Sequence, residues 1–507
     1  MISSNDSLLQ TDKISRKVQF GCLLAANLME FIFCATGTMF HGLSYYTLQN
    51  MLLVPALIYF GSVISRARTG SVSKTIYLSV TMVGWFFIAQ ILHVVQGMEG
   101  RSAGLFIPLY LLAFPFAELS ADGENQKGIR MVSKIYWSIA LLMVAYGLLL
   151  YLDILPAFMR TDINWDGARL WAVNHPNVTA CLFMIGIGVG FGFFFKSKNI
   201  YIKCLYLIGI CLQFVFLALT NCRTSILMTS GMIAAILFLT FYHRKWLRSI
   251  ALAIIGVMLI GGLFILSGKL YDANEERLIQ SYVQKLEAQS TPEVTEATEV
   301  PPTTVPETSP NQALEETIPA TTTAVDEQTP PETEPIETLP IKVDSNSGQV
   351  SLVEKNGQGS LAGDLRTLNG RTGIWSGALQ ALKDNPLIML GGTEYVGTIV
   401  SIYAPFNVEH CHNSWMEIWL RLGLPGLLLA IMFTWIGLRS GLYLIFSEKC
   451  DMWKKCIALV TLCLMVAGFL EPFLFNGEVF YHVLDFLFFL FLGYLNVWYL
   501  ECRKKAA

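Results

Sequence analysis

The sequence predicts an all-α polytopic membrane protein with about twelve transmembrane helices and a large extracytoplasmic loop between helices nine and ten. The 507-residue chain is 53% hydrophobic and only 14% charged, whereas soluble domains carry about 25% charged residues. Apolar runs of the ~20 residues that a spanning helix needs recur along the chain. Lys and Arg gather in every second connection between these runs, as expected when successive helices cross the membrane in opposite directions.

The apolar runs divide the chain into three parts. Residues 1–268 hold the first nine predicted helices, 269–419 form the large loop, and 420–507 hold the last three. The predicted spans are 18–38, 45–65, 75–95, 103–119, 132–152, 178–195, 200–219, 224–242, 249–268, 420–442, 456–475 and 479–500. The formal net charge of -3 gives no reason to expect a nucleic-acid partner.

The basic residues orient these spans. Cytoplasmic loops carry an excess of Lys and Arg, and their alternation here predicts that both the N- and the C-terminus are cytoplasmic. The residues that support this orientation are Lys13, Arg16, Lys17, Arg66, Arg68, Lys74, Lys127, Arg130, Lys196, Lys198, Arg244, Lys245, Arg248, Lys449, Lys454, Lys455, Arg503, Lys504 and Lys505. The loop 269–419 therefore lies outside the cytoplasm.

The large loop begins and ends with ordered patterns. Residues Asn274 to Gln289 are amphipathic at helical spacing and are expected to prolong the ninth helix. The insert from Ser290 to Pro340 is rich in Thr, Pro and Glu, so it cannot bury enough apolar surface to order itself. We predict that this insert, residues 290–340, is disordered and has no catalytic role.

Two arginines are candidate anion ligands on the outer side. Arg371 falls in the first turn of a helix that Pro386 ends, where a cation opposes the helix dipole. It is either an exposed surface residue or part of an anion site with the free N–H groups of that turn. Arg223 begins the eighth span, against the charge bias of the outer loops, and is either a snorkelling anchor or an anion ligand. We favour the anion ligand.

A further polar connection precedes the sixth span. Pro176 and Asn177 are typical of a helix start. Arg169 is a third candidate cation, with an ordinary surface position as the alternative. Asp162 and Asp166 are the acids of this region that would suit a metal, but hard cations need several oxygen ligands, so we predict no metal.

The stretch HCHNSWMEIWLRLGLPG, residues 410–426, places two histidines, an Asn, a Glu and an Arg at the approach to a strongly apolar run. Polar groups at a membrane boundary cost free energy unless they are satisfied, so such a cluster is a candidate functional site. Its candidate residues are His410, His412, Asn413, Glu417 and Arg421. Glu417 and Arg421 are spaced to pair with each other on a helix, or they orient His412.

These segments resemble the O-antigen ligase and O-antigen polymerase-like family. The resemblance is carried by NHPN at 174–177, LTNCRTS at 219–225, NGRTGIW at 369–375 and the stretch 410–426, together with the order of spans and the large outer loop. Two features depart from the family pattern, namely the Thr/Pro/Glu insert and Cys222, which stands where members often have Ser. Ligase and polymerase members share these motifs, so the resemblance does not choose between them.

The resemblance implies an enzyme of the bacterial cytoplasmic membrane that transfers glycan from an undecaprenyl-diphosphate donor to an acceptor hydroxyl. It implies His412 as general base, since histidine titrates near neutral pH, and inversion at the anomeric carbon. Arg223, Arg371 and Arg169 would bind the diphosphate, and His410, Asn413, Glu417, Arg421 and Asn177 would support the site. The expected partners are a lipid-linked glycan donor, a glycan or lipid acceptor and membrane lipid, with no cofactor.

The competing interpretation is a transporter or flippase of lipid-linked oligosaccharide, a class that commonly has twelve spans. Transporters built from two six-helix halves commonly carry a long inner connection at the middle. Here the middle connection, Lys196 to Asn199, is minimal, and the halves lack a matched pair of broken helices. A peptidoglycan-type glycan polymerase of another fold is the third possibility.

Overall fold

The computed structural model describes a large part of the chain. It covers residues 17–18, 21–22, 24–25, 28, 58, 61, 64, 75–95, 111, 113–120, 126–152, 154, 165–166, 169–170, 176–242, 246–290, 341–343, 350–352, 370–390, 394–404, 408, 410–475 and 482–504. By its contacts the chain forms two units, the first made of 1–274 and 357–507 and the second of 275–356. The second unit contains a two-stranded antiparallel sheet in which Ile341 pairs with Leu352.

The described elements are almost all helical. In chain order they are α1 (Thr75–Val95), α2 (Ala113–Ser120), α3 (Gln126–Tyr151), β1 (Trp165–Asp166), β2 (Arg169–Leu170), α4 (Pro176–Lys196), α5 (Ile200–Leu219), α6 (Arg223–Phe241), α7 (Trp246–Ser290), β3 (Ile341–Val343), β4 (Val350–Leu352), α8 (Arg371–Asp384), α9 (Glu394–Tyr403), α10 (Ser414–Phe446), α11 (Met452–Ala467) and α12 (His482–Lys504). Of these, α3, α4, α5, α6, α10 and α12 are long and apolar enough to cross a membrane.

Helix α4 lies at the centre of the bundle, in contact with α3, α5, α6 and α11. Its glycines let these neighbours approach its backbone closely, which is how helices pack in a membrane. A Cβ atom at Gly188 would lie 2.2 Å from Val460 Cγ2 of α11, so no larger residue fits there. The packing of α11 and α6 on α4 brings the ends of these helices together.

Helix α10 is broken near its start. Gly423 has φ 66° and ψ −173°, and Pro425 follows inside the helix. The carbonyls before the break find other donors, with Leu390 N donating to Leu420 O at 2.9 Å and Trp85 Nε1 donating to Leu422 O at 2.7 Å. These two hydrogen bonds connect α10 to α1 and to the segment between α8 and α9.

A second, smaller hydrophobic cluster lies beside the break. It is formed by α8, α9 and the first turns of α10, with Ile374, Ala378, Val400 and Leu420 buried in it. Cys411, directly before α10, is part of the same cluster. Helix α8 is thus packed against the polar stretch 410–426.

The prediction of a helical, multi-pass membrane protein is confirmed, whereas the number twelve stays a prediction, because 18–38 and 45–65 lie almost wholly outside the described residues. Helix α7 runs unbroken to Ser290, as the amphipathic pattern predicts.

The predicted span 456–475 is too long, since α11 ends at Ala467. Pro472 disfavours the helical conformation of the residue before it, and the chain after Ala467 bonds to Ser414 instead of continuing the helix. The insert 290–340 lies outside the described residues apart from Ser290.

Candidate active site

Two chain segments meet at the site, namely 411–416 before and at the start of α10, and 468–475 after α11. Ser414 joins them, because its N–H donates to Gly468 O at 2.8 Å and its hydroxyl donates to Glu471 O at 2.9 Å. The same hydroxyl accepts from Leu474 N at 3.0 Å. Asn413 Nδ2 adds a bond to Phe469 O at 3.0 Å. Because Ser414 is fully buried, water does not compete for these bonds, and the two segments have a fixed register.

The carboxylate of Glu471 occupies the centre of this junction. Its Oε1 forms an ion pair with Arg371 Nη2, and its Oε2 lies 3.5 Å from His412 Nδ1. The exposed fraction of the side chain is 3% for Glu471, 14% for Arg371 and 33% for His412. The carboxylate is therefore screened from water, while the imidazole and part of the guanidinium face outward.

His412 is held by the backbone around it. Its φ of 48° lies in the left-handed region, which a non-glycine residue adopts only when its surroundings impose it. The next residue, Asn413, caps α10 by accepting from Trp415 N and Met416 N. The ring of His410 lies beside that of His412, with ring centroids 4.8 Å apart. The cap and the turn together fix the backbone that carries both imidazoles.

Arg371 is brought to the site by α8. Gly370 precedes it with φ 77°, a conformation that glycine adopts without strain, and Arg371 is the first residue of the helix. Trp375, one turn further on, donates its indole N–H to Cys411 O at 3.0 Å. This bond fixes α8 to the residue before His412, so the structure brings Arg371 and His412 together. Nothing in the two sequence segments alone requires that they lie close to each other.

Glu417 and Arg421 stabilise the backbone around the site. Glu417 Oε2 accepts from Cys411 N at 3.1 Å, and Arg421 Nη1 donates to Phe475 O at 3.1 Å. Both side chains are almost fully buried. Burial and the neighbouring Glu417 carboxylate raise the pKa of the Cys411 thiol well above its ordinary value. Cys411 is therefore a neutral thiol and not a nucleophile.

Arg223 is the first residue of α6, as predicted, and is half-buried. Its helix lies beside α11, where Cys463 Sγ contacts Met228 O at 3.7 Å. Met228 is in the second turn of α6 and Cys463 is near the end of α11, so Arg223 lies at the same end of the bundle as the segment 468–475. The thiols of Cys181 in α4 and Cys222 are each 3.4 Å from Ser225 Oγ, which ties the start of α6 to the first turns of α4.

One comparison with known protein families found a match. Residues 208–431 match the family model described as O-Antigen ligase. The segment 208–431 is therefore similar to the O-antigen ligase family. This confirms the resemblance, and the matched segment includes Arg223, Arg371 and His412. No curated protein and no solved structure matches the chain.

The remaining predicted residues are placed as follows. Asn177 is the second residue of α4, directly after Pro176, which confirms that helix start. Arg169 lies in β2, paired with Asp166 of β1 across a two-stranded sheet. The side chains of Arg169 and Asp166, and the whole of Asp162, lie outside the described residues. Within the described residues, no group of three or more His, Cys, Asp and Glu side chains is arranged to hold a metal ion.

Among the described residues, Glu471 is a site residue that its sequence surroundings did not single out. It lies beyond the matched segment, in Leu470-Glu-Pro-Phe, inside what hydropathy assigns to the eleventh span. A carboxylate within an apolar run is itself a signal of a functional site. The sequence contains this signal. It does not show that Glu471 contacts His412 and Arg371, which are 59 and 100 positions away.

Proposed function

We propose that this protein is an inverting, metal-independent membrane glycosyltransferase of surface polysaccharide biosynthesis. In this proposal it transfers or polymerises glycan from an undecaprenyl-diphosphate-linked donor onto an acceptor hydroxyl at the outer face of the cytoplasmic membrane. The observation that supports it most is the shared contact of Arg371 and His412 with one buried carboxylate, in a chain whose segment 208–431 is similar to the O-antigen ligase family. A cation and a base are thus held side by side at one end of a helical bundle.

The proposed reaction is a single displacement. The ring of His412 accepts the proton of the acceptor hydroxyl, whose oxygen forms a bond to the anomeric carbon of the donor sugar. The bond between that carbon and the diphosphate oxygen breaks, and the lipid diphosphate leaves with the electron pair. Because no covalent enzyme intermediate forms, the anomeric centre inverts.

The leaving diphosphate needs positive charge near it as the bond breaks. Arg371 and Arg223 are proposed to supply it, with Arg169 as a third ligand. A guanidinium has five N–H donors, so Arg371 can keep its bond to Glu471 and still donate to a phosphate oxygen. Arg223 starts α6, and the positive end of that helix's dipole adds to the attraction for an anion.

The test is transfer by purified protein from a defined lipid-diphosphate glycan donor, compared between wild type and His412→Gln. Loss of the base should lower turnover by about 10²–10⁴-fold, the usual scale for one acid–base group. His243→Gln, the same substitution beside Arg244 in a connection predicted to lie in the cytoplasm, serves as the control and should keep wild-type turnover. Near-normal turnover by a folded His412→Gln protein would remove His412 from the mechanism and leave His410 as the next candidate.

The same assay separates the finer alternatives. A product of repeated units on the lipid carrier indicates a polymerase, and a glycan moved to a different acceptor indicates a ligase. Passage of the donor across a vesicle membrane without cleavage of its glycosyl–phosphate bond would instead support a flippase.

A further inference from the structure

Glu471 is a carboxylate with two functional neighbours and almost no access to water. Its side chain is 3% exposed, against 33% for His412. Exposure rises outward from Glu471 to Arg371 and then to His412. A substrate approaching from outside therefore meets the imidazole and the guanidinium, whereas the carboxylate acts on them from behind.

The backbone around Glu471 follows the end of a helix, but several hydrogen bonds to other elements hold it in place. Ser414 binds Glu471 O and Leu474 N through one hydroxyl. Phe475 of the same segment is held at both of its backbone groups, since its N–H donates to Asp485 Oδ1 of α12 at 2.7 Å and its carbonyl accepts from Arg421 of α10. The carboxylate thus has a position set by α10 and α12 together.

From this geometry we propose that Glu471 is a positioning residue, whose single buried carboxylate orients the His412 imidazole by its Nδ1 and holds the Arg371 guanidinium beside it. The inference rests on the proposed function, in which His412 is the base. A carboxylate beside Nδ1 favours the imidazole tautomer that has its proton on Nδ1. This leaves Nε2 as the atom that accepts the proton of the acceptor hydroxyl.

Arg371, the second partner of Glu471, limits the effect of the Glu471 carboxylate on His412. A lone buried anion would bind the imidazolium form strongly, which stabilises the protonated product of the base step. Arg371 shares the charge of the same carboxylate, so the carboxylate does not act on the imidazole alone. The proton moves from the acceptor hydroxyl to Nε2 and no further.

The charged and titratable groups around His412 come from four parts of the fold. Glu471 follows α11, Arg371 begins α8, His410 lies in the same turn as His412, and Glu417 in α10 binds the N–H of the intervening Cys411. Of these, only Glu471 is placed on Nδ1 of the ring. Removing its charge should therefore affect the imidazole more directly than removing any of the others.

The experiment compares the turnover of wild type, Glu471→Gln and Glu471→Asp as a function of pH, with one lipid-diphosphate donor throughout. The Gln variant should lose about 10²–10⁴-fold in turnover. The acid limb of its rate profile should move to lower pH, because the imidazolium has lost its anion. The Asp variant keeps the charge but shortens the side chain, so its turnover should fall while its acid limb stays near the wild-type position.

The matched control is Glu501→Gln. Glu501 also pairs with a cation, Lys454 Nζ at 4.0 Å, but it lies near the C-terminal end of α12 and is 37% exposed. It should leave both turnover and the acid limb unchanged. If the Gln variant fails to fold, the Asp variant decides, and wild-type turnover by it would overturn the proposal.

A loss of turnover in Glu471→Gln with the acid limb unmoved would mean that Glu471 is only structural, and would also overturn the proposal. That outcome differs from failure of the proposed function. If His412→Gln loses turnover while Glu471→Gln keeps its acid limb, only the positioning role is wrong. If His412→Gln keeps its turnover, the base assignment itself is wrong.

Discussion

Replacing Arg371 by Ala removes the cation that faces the buried Glu471 carboxylate. The side chains of this ion pair are 14% and 3% exposed, so it is close to a buried pair rather than a surface one. Breaking a buried pair by removing one partner costs about 3–5 kcal/mol, because the remaining charge stays in a medium of low polarity. We therefore expect Arg371→Ala to lower the free energy of unfolding by about 3–5 kcal/mol.

A double-mutant cycle separates the ion pair from a role in binding the donor. Glu471→Gln alone leaves the guanidinium, which can still reach water, so its cost should be smaller than that of Arg371→Ala. The double variant removes both charges and should recover stability, with a coupling energy of about 2–3 kcal/mol. Its turnover should stay low, because the diphosphate still lacks its cation.

The assays are unfolding by SDS in mixed micelles and transfer from a lipid-diphosphate donor. The control cycle uses Lys454→Ala and Glu501→Gln, whose charged atoms are 4.0 Å apart and whose side chains are 13% and 37% exposed. Its coupling energy should stay below about 1 kcal/mol, as for a surface pair. An Arg371–Glu471 coupling no larger than this would refute the argument from burial. Recovery of wild-type turnover by the double variant would show that Arg371 does not bind the diphosphate.

Two further predictions concern the break in α10 and the topology. Gly423→Ala should lower the free energy of unfolding by about 1–3 kcal/mol, since its backbone conformation is essentially restricted to glycine and the added Cβ would lie 2.9 Å from Met389 Cγ. Gly231→Ala, whose Cβ would meet nothing within 4 Å, should be neutral or stabilising in the same assay. Single cysteines introduced into a cysteine-free protein should be labelled from outside at 290–340 and only from inside at 449–455, and an outside label on 449–455 would reverse the assigned orientation.

The sequence alone determined the class of the protein and several of its local structures. Hydropathy and composition predict a helical membrane protein because long apolar runs are stable in lipid and not in water. Local signals also gave Pro176 as a helix start, Arg223 as the first residue of α6, and the extension of α7 to Ser290. Each of these depends on residues within a few positions of one another, which is why the chain order is enough to predict them.

The composition of the site was decided by the tertiary structure. Arg371, His412 and Glu471 come from three separate elements, and Glu471 is 100 and 59 residues from its partners. Hydropathy assigned residues 468–475 to a spanning helix because most of them are apolar. The chain instead leaves the helix after Ala467, since Pro472 disfavours its continuation and the buried hydroxyl of Ser414 satisfies two backbone groups of the segment. Only packing of α10 against α11 creates that bond and, with it, the position of Glu471.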